Sequence, residues 1–324
     1  MLAMTQTTYG ETDVLELRDI GKPAIAADEV LIRVRAAGVD RGVWHVMTGL
    51  PYPIRLAGYG FRAPKNQVLG MDVAGIVEVV GADVTRFQPG DEVFGVAKGA
   101  FAEYTTALER KLAPKPANLT FEQAAVVPIS GMTALQGVRD QGEVASGQQV
   151  LITGASGGVG SYAVQLAKAF GAEVTGVSGA SKMDLVRSLG ADHVLDYRRD
   201  DFAAGPQRYD VILDIAGNAS LSRLRRALTP KGTVVIMGGE NGGRWLGGTD
   251  RQLRAVVLSP FVSQRLRTFI NSEKSEHLID LTPLLESGAV VPAIDQRFPL
   301  SEVPKAIQYL IDGHARGKVV ITLP

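Results

Sequence analysis

An α/β fold is predicted for this chain: a doubly wound parallel sheet joined to a second, β-rich domain. Three observations carry that prediction. The 324 residues exceed one ordinary domain at roughly 100–200 residues each. The hydrophobic pattern changes near Pro128, from short strands broken by turn residues to strands alternating with helices. A glycine-rich turn also stands between an apolar strand and an amphipathic helix within residues 150–174. Alternating strands and helices with short loops imply a parallel sheet covered on both faces.

The elements follow in order. From Val30 to Ala37 (VLIRVRAA), apolar and polar residues alternate as in a half-buried strand. Residues 73–80, 92–96 and 102–106 read as further short strands between Gly, Pro and Asp. Residues 1–127 are therefore expected to be mainly β, with few helices. Beyond Pro128, a strand over 149–153 enters the glycine-rich turn and a helix over about 160–170 leaves it. Strand 173–177, helix 183–189, strands 193–196 and 211–214, helix 221–228 and strand 233–237 continue the alternation. A helix over 303–311 and a strand over 318–323 close the chain.

Lys+Arg and Asp+Glu number 34 each, a net charge of +0, so no general basic field points to nucleic acid or an anionic membrane as the main partner. A hydrophobic share of 45% with 21% charged excludes a disordered chain. With no cysteine, disulfides, thiolate metal sites and thiol nucleophiles are excluded; redox chemistry must use a bound cofactor. Gln6, Thr7, Glu11, Asp13, Glu16 and Arg18 interrupt any apolar leader core, and no apolar run is long enough to span a bilayer. A cytoplasmic protein without membrane partners is expected.

The turn within VLITGASGGVGSYAVQLAKAFGAEV fits three patterns. Ala155-Ser156-Gly157-Gly158-Val159-Gly160 is a G-x-G-x-x-G dinucleotide fingerprint with Ala in the first place. Missing side chains let the backbone close on a pyrophosphate at a helix N-terminus. Gly154-x-Ser156-x-Gly158 also matches a nucleophile elbow, with His277, His314, Asp280 and Asp214 available downstream, although no His-Gly-Gly-Gly oxyanion sequence occurs. A short-chain dehydrogenase turn is the third reading, but about 150 residues precede it and no lysine has Tyr four positions before it. The dinucleotide reading is the one its strand–turn–helix context favours, which makes the parallel sheet a Rossmann domain. The second strand ends Val177-Ser178-Gly179-Ala180-Ser181-Lys182, without the acid that holds an NAD ribose. Ser178, Ser181 and Lys182, with Tyr197 and Arg198 beyond the third strand, suit a 2′-phosphate, and the expected cofactor is NADPH (NADP). Ser181 is alternatively a helix cap.

The whole chain resembles the medium-chain dehydrogenase/reductase superfamily, in its zinc-free quinone oxidoreductase branch. The resemblance rests on YGETDVLELRDIGKP, AAGVDRGVWHVMTG, VLGMDVAGIVEVVGADV, FQPGDEVFG, GAFAEY, AAVVPISGMTAL, the glycine-rich segment, LGADHVLDY and GHARGKVVI, which run in order through residues 9–321. It implies a GroES-like catalytic domain from residues 1–127 plus 271–324, a Rossmann domain from 128–270, a cleft for hydride transfer and a homodimer. Zinc-dependent relatives carry Cys and Gly-His-Glu; here Gly70-Met71-Asp72 stands in that place and Cys is absent, so no metal is expected. Asp40-Arg41-Gly42-Val43-Trp44 replaces the frequent Asn-Pro-x-Asp-Trp, keeping only the Trp. By position, the resemblance implies that Thr133 bonds the nicotinamide, that Ala216, Gly217, Met237 and Gly238 line it, and that Lys318 closes on the cofactor. Asp40, Trp44, His45 and Tyr52 are its substrate-side candidates.

The expected activity is NADPH-dependent hydride transfer to a quinone or an α,β-unsaturated carbonyl without metal. The alternatives are a nucleotide-binding or sensing protein of the same fold with little catalysis, or an NADP-dependent alcohol dehydrogenase-like enzyme.

Overall fold

A computed structural model describes residues 1–239 and 243–324. Two compact units emerge. One holds Met1–Met132, Ser272–Gly288 and Pro292–Pro324; the other holds Thr133–Asn271 and Ala289–Val291.

The first unit is β-rich. Its main sheet runs in the order Ile294–Pro299, Lys318–Thr322, Glu29–Val39, Asp72–Val80, Glu92–Val96, Leu112–Pro114, with Tyr104–Leu108 also paired to Glu29–Val39. The long strand Glu29–Val39 is the hub, because its eleven residues are apolar enough to be buried on both faces. Val319 pairs with Val39 and Thr322 with Ala36, so the end of the chain completes a sheet begun near its start. Ile32, Val34, Met47, Phe101, Ile307 and Ile321 pack into one core, each contributing about 1.5–3 kcal/mol by leaving water.

Three features here differ from the sequence reading. The strand expected at 102–106 lies at Tyr104–Leu108; Ala102 instead makes a lone bridge to Ala3. A helix, Arg41–Thr48, follows the hub strand. Its buried Val43 and Met47 are one turn apart, and Gly49 ends it at φ 63, but eight residues containing Gly42 gave too short a period to read. Phe121–Ala125 is a further short helix, closed by a capping box in which Gln123 N–H donates to Thr120 Oγ1 at 3.2 Å.

The second unit is one parallel sheet of six strands: His193–Asp196, Glu173–Ser178, Gln149–Thr153, Tyr209–Asp214, Leu228–Ile236 and Arg265–Thr268, in that spatial order. Numbered along the unit this is 3-2-1-4-5-6, the doubly wound arrangement in which ligands bind at the carboxyl ends beside the first strand. Its central strands are apolar runs buried on both faces, as covering helices require. The sixth strand and the helix Thr249–Leu258 before it lack an apolar stripe strong enough to read in advance.

Candidate functional site

Within the parallel-sheet unit, Gln149–Thr153 delivers the chain into the glycine-rich turn. Gly154 has φ +68, a left-handed conformation that glycine adopts without strain. A Cβ on Gly160 would sit 2.1 Å from the Gly154 carbonyl oxygen and 2.8 Å from Ala155 Cα. Only a bare backbone lets the helix Gly158–Ala169 begin so close to the turn. Its N-cap, Gly157, is extended and offers no side chain to the first-turn N–H groups, which are left for an outside acceptor at the positive end of the helix. Ala155 N–H donates to Val177 O at 3.1 Å, tying the turn to the second strand. A cradle of backbone N–H groups that a Cβ would fill fits a dinucleotide pyrophosphate. Ser156 is buried, whereas a nucleophile elbow presents its serine to substrate.

The end of the second strand gathers the expected phosphate-binding side chains. Ser178 is its last residue, Ser181 lies in the turn Ala180–Lys182, and Lys182 is the N-cap of the helix Met183–Ser188. Tyr197 N–H donates to Ser178 O at 3.1 Å, and the exposed Tyr197 ring lies beside Gly179, 3.4 Å from where a Cβ there would be. No carboxylate ends this strand. The acid on the neighbouring strand, Asp196, is buried and accepts from Arg198 N–H at 3.1 Å.

Ala216, Gly217, Met237 and Gly238 meet at the ends of two adjacent strands. Met237 N–H and Gly238 N–H both donate to Asp214 O, at 3.0 and 3.2 Å. A Cβ on Gly217 would lie 2.7 Å from the Gly238 carbonyl carbon, and one on Gly238 would lie 2.1 Å from Ile215 O. Arg251, a residue the sequence did not single out, clamps this corner. Its guanidinium donates to Gly217 O and to Asp214 Oδ2. Thr153 Oγ1 donates to Asp214 Oδ1 at 2.9 Å and accepts from Ala216 N–H at 3.2 Å. Thr133 is half-buried on the helix Pro128–Leu135, between buried Met132 and Ala134.

In the β-rich unit, two residues expected to act separately are partners. Lys318 Nζ lies 2.5 Å from Asp40 Oδ1, 3.0 Å from Ser130 Oγ and 3.6 Å from Asp72 Oδ2. The ammonium is 1% exposed, and two of its three N–H donors are taken by Asp40 Oδ1 and Ser130 Oγ. Lys318, expected to close on the cofactor, here places its ammonium on Asp40 and Ser130. Asp40, a substrate-side candidate, uses Oδ1 to accept from Lys318 and from Ser130 Oγ at 2.7 Å. Burial pushes the Asp40 carboxyl up, but the Lys318 charge and hydrogen bonds from Asp72, Lys318 and Ser130 hold it below the usual carboxylate range. Asp72, in the place of Gly-His-Glu, is pushed well above that range by burial and by the neighbouring Asp40.

Trp44 and Tyr52 remain partly exposed. Trp44 Nε1 donates to Glu11 Oε2 at 3.4 Å, and its ring stands edge-on to His45 at 5.0 Å. Tyr52 faces the Arg55 guanidinium at 5.0 Å, and the same guanidinium lies 4.4 Å from the Tyr9 ring. His45 Nδ1 is 2.7 Å from Leu50 O. Among the described residues, no three His, Cys, Asp or Glu side chains group as metal ligands.

Comparison with known proteins agrees with this geometry. Residues 26–117 match the alcohol dehydrogenase GroES-like domain, and residues 189–321 match the family described as zinc-binding dehydrogenase. The chain is 36% identical over 337 residues to the 2-methylene-furan-3-one reductase of Solanum lycopersicum, covering 99% of this chain and 79% of that protein. It belongs to the medium-chain dehydrogenase/reductase superfamily, in its zinc-free quinone oxidoreductase branch. The NADPH-dependent alkenal/one oxidoreductase of Arabidopsis thaliana, a chloroplastic protein, is 35% identical over 339 residues, with the same 99% and 79% coverage. The Escherichia coli quinone oxidoreductase, solved in complex with NADPH, superposes with a TM-score of 0.84 over 100% of both chains at 26% identity. The β-rich unit is thus the GroES-like domain of this superfamily and the parallel-sheet unit its Rossmann domain.

Proposed function

We propose that this medium-chain reductase uses NADPH to deliver hydride to a quinone or an α,β-unsaturated carbonyl, without a metal. One observation carries the reading. A pyrophosphate cradle opens beside a strand end bearing Ser178, Ser181 and Lys182 in place of an acid, in a chain 35% identical along 99% of its length to an NADPH-dependent alkenal/one oxidoreductase.

When bound, the cofactor supplies a hydride from nicotinamide C4. The protein's own groups do the rest. Residues 155–160 would hold the pyrophosphate; Ser178, Ser181, Lys182 and Tyr197 would hold the 2′-phosphate. Ala216, Gly217, Met237 and Gly238 would flank the nicotinamide with closely packed backbone, and the Thr133 hydroxyl would orient its amide. Trp44 and Tyr52 supply flat apolar contact for a planar acceptor. A conjugated acceptor spreads the developing negative charge over its π system. Incubation of the purified protein with NADPH and a panel of enones and quinones tests this; turnover with at least one member is expected.

A second reading, nucleotide binding with little catalysis, is favoured by one observation: Asp40 is buried, with its Oδ1 engaged by Lys318. Tight NADPH binding with no turnover distinguishes it.

A homodimer and a cytoplasmic location complete the proposal. The strand Arg265–Thr268 is paired on one side only, and Val257, Phe261 and Ile270 stand exposed near it. A two-fold axis at that edge would let two copies continue one sheet and cover those side chains. Among the described residues no helix is long and apolar enough to cross a membrane.

A further inference from the structure

We propose that Asp72 carries a proton in the folded protein and donates it to Asp40, so that the buried Asp40–Asp72–Lys318 cluster has no net charge. The inference goes beyond the reductase reading and does not depend on it.

The geometry is specific. Asp72 is 0% and Lys318 1% exposed, and Asp40 is 8% exposed. With all three ionised the cluster would hold one positive and two negative charges out of water. The two carboxyls are not equivalent. Asp40 Oδ1 accepts from both Lys318 Nζ at 2.5 Å and Ser130 Oγ at 2.7 Å. Asp72 Oδ1 accepts from Ile129 N–H at 3.0 Å, and its Oδ2 stands 3.6 Å from Lys318 Nζ, beyond hydrogen-bond length. That leaves two buried oxygens with no partner, Asp40 Oδ2 and Asp72 Oδ2, on carboxyl groups gathered around the same Lys318 ammonium. Two ionised oxygens there would both be acceptors and would repel. A single proton on Asp72 satisfies both and removes the surplus charge.

Gly38 leaves room for the Asp72 side chain: a Cβ there would lie 2.9 Å from Asp72 Cβ and 3.1 Å from Asp72 Oδ2. The charged groups that act on Asp72 are Asp40 and Lys318, together with the Ile129 N–H dipole. Asp72 is a positioning residue. Neutral, it holds Asp40 in place while its other oxygen takes an N–H from the first turn of the helix Pro128–Leu135. Asp40 takes the Ser130 hydroxyl from the same turn. Thr133 follows Ile129 and Ser130 by one helical turn, so the cluster fixes the start of the helix that presents it.

The sign of the pH effect follows. A raised folded-state pKa means that the folded protein keeps a proton which the unfolded chain releases above its ordinary carboxylate range, near about 3.9. Stability is therefore lost as pH rises from that range toward the folded value. Asp72→Asn is neutral without taking up a proton and keeps an N–H donor for Asp40. Thermal and urea unfolding of the full chain and of Asp72→Asn, compared from acid to mildly alkaline pH, should show the variant gaining on the wild type, with the ratio of unfolding constants changing about tenfold per pH unit. In the infrared, the wild type near neutral pH should keep a protonated-carboxyl carbonyl band that Asp72→Asn lacks. A loss of stability in Asp72→Asn that is the same at every pH would overturn the proposal, as would absence of the band from the wild type. Should the variant not fold, the wild-type band decides alone.

Discussion

In the proposed reading, the choice between NADPH and NADH is made at the end of the strand Glu173–Ser178, by one cation and two hydroxyls. Lys182 brings a point charge with three donors, and Ser178 and Ser181 bring neutral donors. Hydrogen bonds to charged groups contribute about 1.5–3 kcal/mol, and about 1.4 kcal/mol is a tenfold change. Lys182→Ala should therefore raise the KM for NADPH roughly tenfold or more while sparing NADH. Ser178→Asp should go further by placing an acid where it grips a ribose hydroxyl and repels phosphate. Steady-state kinetics with both cofactors checks this; an unchanged NADPH preference in both variants would mean that the 2′-phosphate sits elsewhere. The residues of this corner were legible because they are close in sequence. Those of the Asp40–Ser130–Lys318 group were not, because Lys318 lies 278 positions from Asp40, and a lone Asp or Lys carries no sign of its partner.

Among the elements, the helix Thr249–Leu258 matters for a single side chain. Arg251 reaches from it to the ends of the strands, where Asp214 is fully buried. Removing one partner of such a pair strands a charge and costs about 3–5 kcal/mol. Arg251→Leu should therefore lower the unfolding midpoint and also weaken NADPH binding, because the Gly217 carbonyl loses its anchor. Arg251→Lys should recover only part of the loss, since an ammonium lacks the planar fork that reaches both acceptors. Denaturant unfolding and fluorescence titration with NADPH separate the two effects; retained stability with normal binding would show that the clamp is incidental. The parallel strands were legible as elements because their apolar runs are bounded by glycines and repeat with helices between. The helix Arg41–Thr48 and the pairing of Leu2–Thr5 with Glu16–Asp19 were hidden, since the helix is too short to show a period and the pair is joined only through tertiary context.

For the molecule as a whole, assembly and chemistry are separate questions. If the Arg265–Thr268 edge joins two copies, light scattering of the purified protein should give twice the chain mass of 34.4 kDa, and Ile270→Asp with Phe261→Asp should give the chain mass. A monomeric wild type would remove that edge as an interface and leave the reductase reading untouched. The fold class was legible because it is written in periodicity and in one local glycine pattern. The acceptor was not: the proposed contacts, Trp44 and Tyr52, are generic flat surfaces, and quinones and enones share the same conjugation. The central claim is best tested by following a hydride. With NADPH carrying deuterium on the transferred face of nicotinamide C4, the reduced product of an enone should carry that deuterium at its β-carbon, with NADPH consumed in equal amount. NADPH that binds but passes no label to any enone, and is consumed by no quinone, would contradict the account.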